Sequence, residues 1–170
     1  TLTANRITFN GMDLFFGPAG CGSCHSGPLL SDQAFRAMGA PQLGPGKAER
    51  FESHQRDVGR MRVTGKAEDA YAFRTPMLRN VTRTGPWGHA GSHDDLRAFV
   101  KDHADPVAAA ERWAPDVALP ELDGIADDWA IWSDTTERGA ILSAVEPNLR
   151  PLSEGELDDL MAFLAALEDE

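Results

Sequence analysis

The run Cys21-Gly22-Ser23-Cys24-His25 constrains this chain more than any other feature, because it uses both cysteines that the 170 residues contain. A C-x-x-C-H run is the attachment pattern of a c-type haem. Two thiols three positions apart can each add to a vinyl group of one porphyrin, and the following residue places an imidazole nitrogen under the iron as proximal ligand. A thioredoxin-like redox pair would want the same spacing in a βαβ setting, and half of a zinc site would want a second Cys/His pair at ligand spacing. Neither companion is visible in the sequence. The expectation is therefore one covalently bound haem c, with thioethers at Cys21 and Cys24 and His25 on the iron. Such attachment takes place outside the cytoplasm, so the expected location is periplasmic, in a bacterium, with the signal peptide already removed. The start at Thr1, with no initiator Met and no leader-type apolar segment, fits a mature product or a fragment.

Composition narrows the alternatives. A hydrophobic content of 42% and a charged content of 25% suit one domain with a real core rather than a disordered chain. No apolar run approaches the roughly 18 residues of a membrane span. The net charge of −11 argues against nucleic acid, whose phosphates need a basic surface. That charge is uneven: residues 1–101 carry +4 and residues 102–170 carry −15.

Periodicity predicts a mostly α chain. Thr3 to about Phe16 reads as a helix with Thr3 as cap and Ile7, Gly11 and Leu14/Phe15 on one face, stopped by Gly17-Pro18. Residues 27 to about 60 are rich in Gly and Pro and read as loop around the haem edge, and Arg62 to Phe73 as weak strand or loop. Ser92-His93-Asp94-Asp95 has the form of a capping box and opens a helix, closed by Asp105-Pro106, whose inward face is Leu96, Phe99, Val100 and His103. The acidic stretch 107–150 holds Trp113, Trp129 and Trp132 and predicts helices near 107–113 and 135–145. Leu152, Ser153 and Glu156 form a hydrophobic staple and capping box ahead of a last helix with Leu157, Leu160, Met161, Phe163, Leu164 and Leu167 on one stripe. A first helix leading into the haem motif and a last one crossing it is the arrangement of a c-type cytochrome fold, here with a large loop and helical insertion. The expected organisation is a single haem domain over 1–170: a haem-binding core 1–106, an acidic Trp-rich insertion 107–150 and a C-terminal helix 151–170.

The second axial position decides whether such a haem is open to substrate or closed for electron transfer. Candidates are His54, His89, His93, His103 and the methionines, with Met38, Met61 and Met77 in loops. His103 stands out because it continues the apolar face of its helix one turn beyond Phe99, which aims its ring at the core. A hydrogen-bonded core histidine is the plainer alternative. His93 reads as solvent-facing cap chemistry, and His54 lies in a charged segment.

Five motifs occur in order: Gly11-Met12-Asp13-Leu14-Phe15-Phe16, Cys21-x-x-Cys24-His25-Ser26-Gly27, Asp57-x-Gly59-Arg60, Phe73-Arg74-Thr75-Pro76-Met77-Leu78-Arg79-Asn80-Val81 and Thr84-Gly85-Pro86-Trp87-Gly88-His89-Ala90-Gly91. Together they resemble the C-terminal haem domain of the bacterial di-haem cytochrome c peroxidase family, which includes the maturase MauG. The likeness runs from about residue 10 to 105 and resumes in the last helix; 107–150 has no counterpart in the pattern.

The resemblance implies a peroxidatic haem in an N-terminal domain that is absent from this chain, and an electron-transfer haem here. It implies hydrogen peroxide as substrate and a small redox protein, a c-type cytochrome or cupredoxin, as donor. It places the distal ligand on the helix after the H-x-G motif, Met in typical peroxidases and Tyr in MauG, at the position His103 occupies. It implies a calcium ion between the two domains, touching backbone carbonyls of Thr84 and Pro86. Arg74 and Arg79 are candidates for the haem propionates, with surface ion pairs as the plainer role, and His89 for a hydrogen bond near the haem or domain interface. Two other functions stay open: a stand-alone mono-haem electron carrier, and a MauG-like enzyme that oxidises a partner protein. The oligomeric state, a homodimer included, is not specified.

Overall fold

A computed structural model describes residues 2–43, 53–115, 117, 128–146 and 149–168. Among the described residues there are seven α-helices: α1 (Leu2–Phe16), α2 (Met61–Thr64), α3 (Leu96–Ala104), α4 (Pro106–Arg112), α5 (Ala130–Ser133), α6 (Thr135–Leu142) and α7 (Glu154–Ala165). The strands β1 (Phe35–Arg36) and β2 (Phe73–Arg74) pair antiparallel, Phe35 opposite Arg74 and Arg36 opposite Phe73. The chain is thus mostly α, as its periodicity predicts. No helix is long and apolar enough to cross a membrane among the described residues.

The main seam is the crossing of α1 and α7. Leu14 and Phe15 from α1 meet Leu160, Phe163 and Leu164 from α7, and Val81 and Leu96 close the same core. Gly11 permits the approach: a Cβ there would lie 2.6 Å from the carbonyl carbon of Asp159 and 2.9 Å from the Cβ of Phe163. Ser153 caps α7 by accepting from the Glu156 N–H, and the Glu156 carboxylate accepts in return from the Ser153 N–H at 2.9 Å. This is the expected capping box, worth about 1 kcal/mol or so at a helix start. Arg97 reaches from α3 to Glu154 (2.8 Å) and Asp158 (2.7 Å), and Lys101 to Glu154 (2.7 Å). Exposed pairs like these add little stability, but they fix how α3 lies along α7.

A second core gathers Ala37, Val58, Tyr71, Ala110, Ile131, Trp132 and Ile141, with Trp113 packed against it. Gly39, at φ +64°, lets this layer close, since a Cβ there would meet Val145 and Leu142 side chains.

Several expectations need correction. Ser92 does not cap α3; Asp95 does, accepting from the Ala98 N–H. Ser92 and His93 precede the helix and are buried, and the His93 backbone pairs with that of Trp87. Thr3 lies inside α1 rather than ahead of it. The 62–73 segment contains the short helix α2 and a 3-10 turn before β2, and Met61 opens α2 rather than lying in a loop. The expected helices near 107–113 and 135–145 correspond to α4 and α6, while α5 carried no readable signal. Residues 44–52 of the expected loop, and most of 116–127 in the acidic stretch, lie outside the described residues.

Candidate haem site

The cysteine motif follows α1 directly. Gly20, at φ +75°, starts a 3-10 turn over Cys21–Ser23, and the His25 N–H closes it onto the Cys21 carbonyl at 2.9 Å. Both thiols are free and half-buried. Burial raises the Cys21 thiol above its ordinary pKa, the largest of several influences.

A cavity of about 430 Å³ opens above this turn, and Cys21, Cys24 and His25 all face it. Its remaining wall is drawn from distant segments and is mainly apolar: Phe15, Leu78, Val81, Trp87, Leu96, Val100, Leu160 and Leu164. That size and lining fit a bulky apolar cofactor.

His25 is prepared as a ligand. Its Nδ1 lies 3.0 Å from the Leu30 carbonyl. A carbonyl only accepts, so Nδ1 carries the proton and Nε2 keeps its lone pair for a metal. Burial lowers the His25 pKa, with the Leu30 hydrogen bond opposing it.

His103 faces His25 across the cavity, with ring centroids 6.5 Å apart and planes at 57°. Metal–imidazole bonds of about 2.0 Å, added on each side to roughly 1.1 Å from ring nitrogen to centroid, would place two facing imidazoles that share one metal about 6.2 Å apart. The gap between the rings is thus the width that one coordinated iron needs. Burial, and then the nearby His25, lower the His103 pKa to about 4, so its imidazole is neutral at ordinary pH and its lone pair is available. Phe99 packs against its ring at 5.2 Å. His103 is half-buried and lines both this cavity and a smaller hollow beside it. The residues present therefore fit a haem c: two thiols, one tautomer-fixed imidazole and a second imidazole at metal-spanning distance.

The other sequence candidates divide. Arg74 lines the cavity, donates to Gln33 Oε1 at 3.3 Å and lies over the Phe35 ring. Arg79 is not among the lining residues. His89 lines the cavity mouth, stacks on Phe73 with centroids 3.5 Å apart, and pairs through Nε2 with Asp57 Oδ2 at 3.1 Å. Thr84 and Pro86 line the same wall, and Trp87 beside them donates its indole N–H to the Val81 carbonyl at 2.8 Å. Met38 and Met77 also reach the cavity, Met77 more than half exposed; Met61 does not. His93, expected at the surface, is 4% exposed and lies between Ser92 Oγ (2.8 Å) and Asp102 Oδ2 (3.1 Å).

Sequence reasoning missed three contributors. Arg36 lines the cavity, tied to Asp32 at 2.7 Å; Asp57 orients His89; and the Leu30 carbonyl fixes the His25 tautomer. Asp57 and Arg36 are brought in by long-range pairing that no local spacing signals. The Leu30 contact, five residues from His25, is the one that turn reasoning could have found.

No family model matches the chain. Among curated proteins, it is 40% identical over 110 residues to cytochrome-c peroxidase IdrP1 of Denitromonas iodatirespirans, covering 53% of this chain and 29% of that protein. It is 33% identical over 135 residues to cytochrome c551 peroxidase of Nitrosomonas europaea (69% and 38%), and 37% identical over 95 residues to the methylamine utilization protein MauG of Methylorubrum extorquens (55% and 23%). The chain spans about a third of the length of the curated relatives it matches. Among solved structures, the diheme peroxidase BthA of Burkholderia thailandensis superposes with a TM-score of 0.63 at 26% identity, over 96% of this chain and 42% of that one. A MauG-like protein associated with microbial copper homeostasis shares the fold at a TM-score of 0.59 and 24% identity, over 96% and 47%.

Proposed function

We propose that this chain, a relative of the di-haem cytochrome c peroxidases and of MauG, is the electron-transfer haem domain of a periplasmic two-haem peroxidase. The observation that carries the reading is the 6.5 Å separation of the His25 and His103 rings across a cavity that both motif cysteines face. Cys21 and Cys24 would hold one haem c by thioethers, and the His25 and His103 imidazoles would bind its iron. When bound, that group supplies one-electron redox chemistry and no open coordination site.

The chain's own residues do the rest. Leu30 keeps the His25 proton on Nδ1, and the apolar wall from Phe15 to Leu164 excludes water. Low water access and two imidazole donors favour electron transfer over substrate binding. Arg74 and His89 provide polar contacts at the cavity wall and mouth, and the backbone carbonyls of Thr84 and Pro86 would offer oxygen donors to a calcium ion at an interdomain surface. In this reading residues 1–106 are assigned to the haem-binding core, 107–150 to an insertion and 151–170 to the closing C-terminal helix.

The remainder of the enzyme is a second, peroxidatic haem domain, which uses electrons from a small c-type cytochrome or cupredoxin to reduce hydrogen peroxide. A MauG-like reading, in which a partner protein is oxidised, draws support from the 37% identity to MauG. Histidine rather than tyrosine at position 103 favours the peroxidase. The test is peroxide-dependent oxidation of a reduced small c-type cytochrome by the native polypeptide that contains this chain. The expected result is two donor equivalents oxidised per peroxide, since peroxide takes two electrons and two protons to become two waters. Absence of peroxide-dependent donor oxidation would overturn the reading, and oxidised side chains on a partner protein would replace it with the MauG-like one.

A further inference from the structure

His103 lines two neighbouring hollows of unequal size. One is the large cavity; the other, of about 30 Å³, also has His93, Phe99, Asp102, Ala109, Trp113 and Trp132 in its wall. Among the described residues the His103 side chain has ring contacts with His25 and Phe99 and no hydrogen bond. An imidazole that gives one nitrogen to a metal carries its proton on the other, and that N–H needs an acceptor.

A buried polar chain lies beside it. Ser92 Oγ is 2.8 Å from His93 Nδ1, His93 Nε2 is 3.1 Å from Asp102 Oδ2, and Arg112 donates to Asp102 Oδ1 at 2.9 Å. Ser92 is fully buried and His93 nearly so. The Asp102 carboxylate is thus held from both sides in one orientation, at the wall of the small hollow. The hollow exceeds the roughly 10–15 Å³ that one water needs, and its mainly apolar wall includes the Asp102 carboxylate, the His103 imidazole and Trp113 and Trp132, whose buried indole N–H groups have no partner among the described residues.

We propose that the small hollow is a buried water site linking the outer N–H of His103 to the Asp102 carboxylate, which makes His93 and Asp102 positioning residues for the distal ligand. The proposal rests on the reading of His103 as an iron ligand. A carboxylate that accepts from a ligand imidazole, directly or through water, fixes the ring's tautomer and orientation and strengthens it as a donor. His93 acts by holding that carboxylate. Loss of such partners typically weakens a metal–ligand interaction by about 10- to 100-fold.

The experiment is stopped-flow cyanide binding to the ferric, haem-loaded full chain, which requires His103 to leave, together with the visible spectrum of each variant. His93→Ala should bind cyanide at least about tenfold faster than the parent. His93→Gln, whose amide can donate to Asp102 and accept from Ser92, should stay near the parent. Ala109→Val, which adds two methyl groups at the wall of the hollow and replaces none of Ser92, His93, Asp102 and Arg112, should accelerate binding as His93→Ala does, and with His93→Gln it decides the question if His93→Ala does not fold. Parent-like rates in Ala109→Val overturn the water site, and parent-like rates in both it and His93→Ala overturn the positioning role. A five-coordinate, high-spin parent spectrum instead removes the ligand assignment itself, and this proposal with it.

Discussion

Replacing Gly11 with alanine sets two effects of opposite sign against each other. In an unconstrained helix interior, Gly→Ala stabilises by about 1 kcal/mol. At this position the new Cβ would lie 2.6 Å from the Asp159 carbonyl carbon and 2.9 Å from the Phe163 Cβ, where ordinary contact begins near 3.4 Å. The obstacle is backbone, so no rotamer change relieves it; α1 and α7 must separate by about 1 Å. A radial gap of about 0.5–1 Å forfeits a quarter to a half of the dispersion attraction across an interface. The seam contains Leu14, Phe15, Leu160, Phe163 and Leu164, each worth about 1.5–3 kcal/mol of burial. Steric loss therefore outweighs propensity, and a net destabilisation of about 3 kcal/mol is expected. For a domain of this length that lowers Tm by about 6–12 °C. Thermal unfolding of parent and Gly11→Ala, followed by far-UV circular dichroism with haem loaded in both, measures it. An unchanged or raised Tm would refute the close crossing, since propensity alone predicts a rise.

Three further outcomes follow from the same geometry. The Glu156 pKa is held at about 2, first by Arg150 and then by Ser153; because the folded value is depressed, its stabilisation is complete above the ordinary carboxylate range and is lost as pH falls from about 4.5 to about 2. Glu156→Gln should weaken that acid-dependent loss in a pH series of urea melts. His103→Met should keep a six-coordinate haem and raise its midpoint potential in a spectroelectrochemical titration, because a thioether donates less than an imidazole; an unchanged potential would place the distal ligand elsewhere. Replacing both Cys21 and Cys24 by serine should leave no haem stain on the chain in a denaturing gel, whereas either single replacement should retain it.

Much of the candidate site was legible because its residue pattern is local. Cys21, Cys24 and His25 sit within five residues, and the helical period of Leu96, Phe99, Val100 and His103 placed the His103 ring inward without reference to the rest of the chain. The ends of α1 and α7 were readable for the same reason, Gly17-Pro18 and the Ser153–Glu156 box being local signals. His93 was misread because the S-x-x-D form resembles a cap, while its backbone pairing with Trp87 spans the Gly88–Gly91 turn. Asp57 with His89, and β1 with β2, join segments more than thirty residues apart, and neither partner carries a mark of the other. The 107–150 stretch gave helices but no role; α4 and α6 and the Trp113–Trp129–Trp132 cluster become meaningful once they are seen to pack beside His103 and Gly39.

The central claim is that His25 and His103 close both faces of one haem. Electron paramagnetic resonance and visible spectroscopy of the ferric, haem-loaded chain test it most directly. The account predicts a six-coordinate, low-spin parent that becomes high-spin and ligand-accessible in His103→Ala. A high-spin parent, or a low-spin signal that survives His103→Ala, would contradict it.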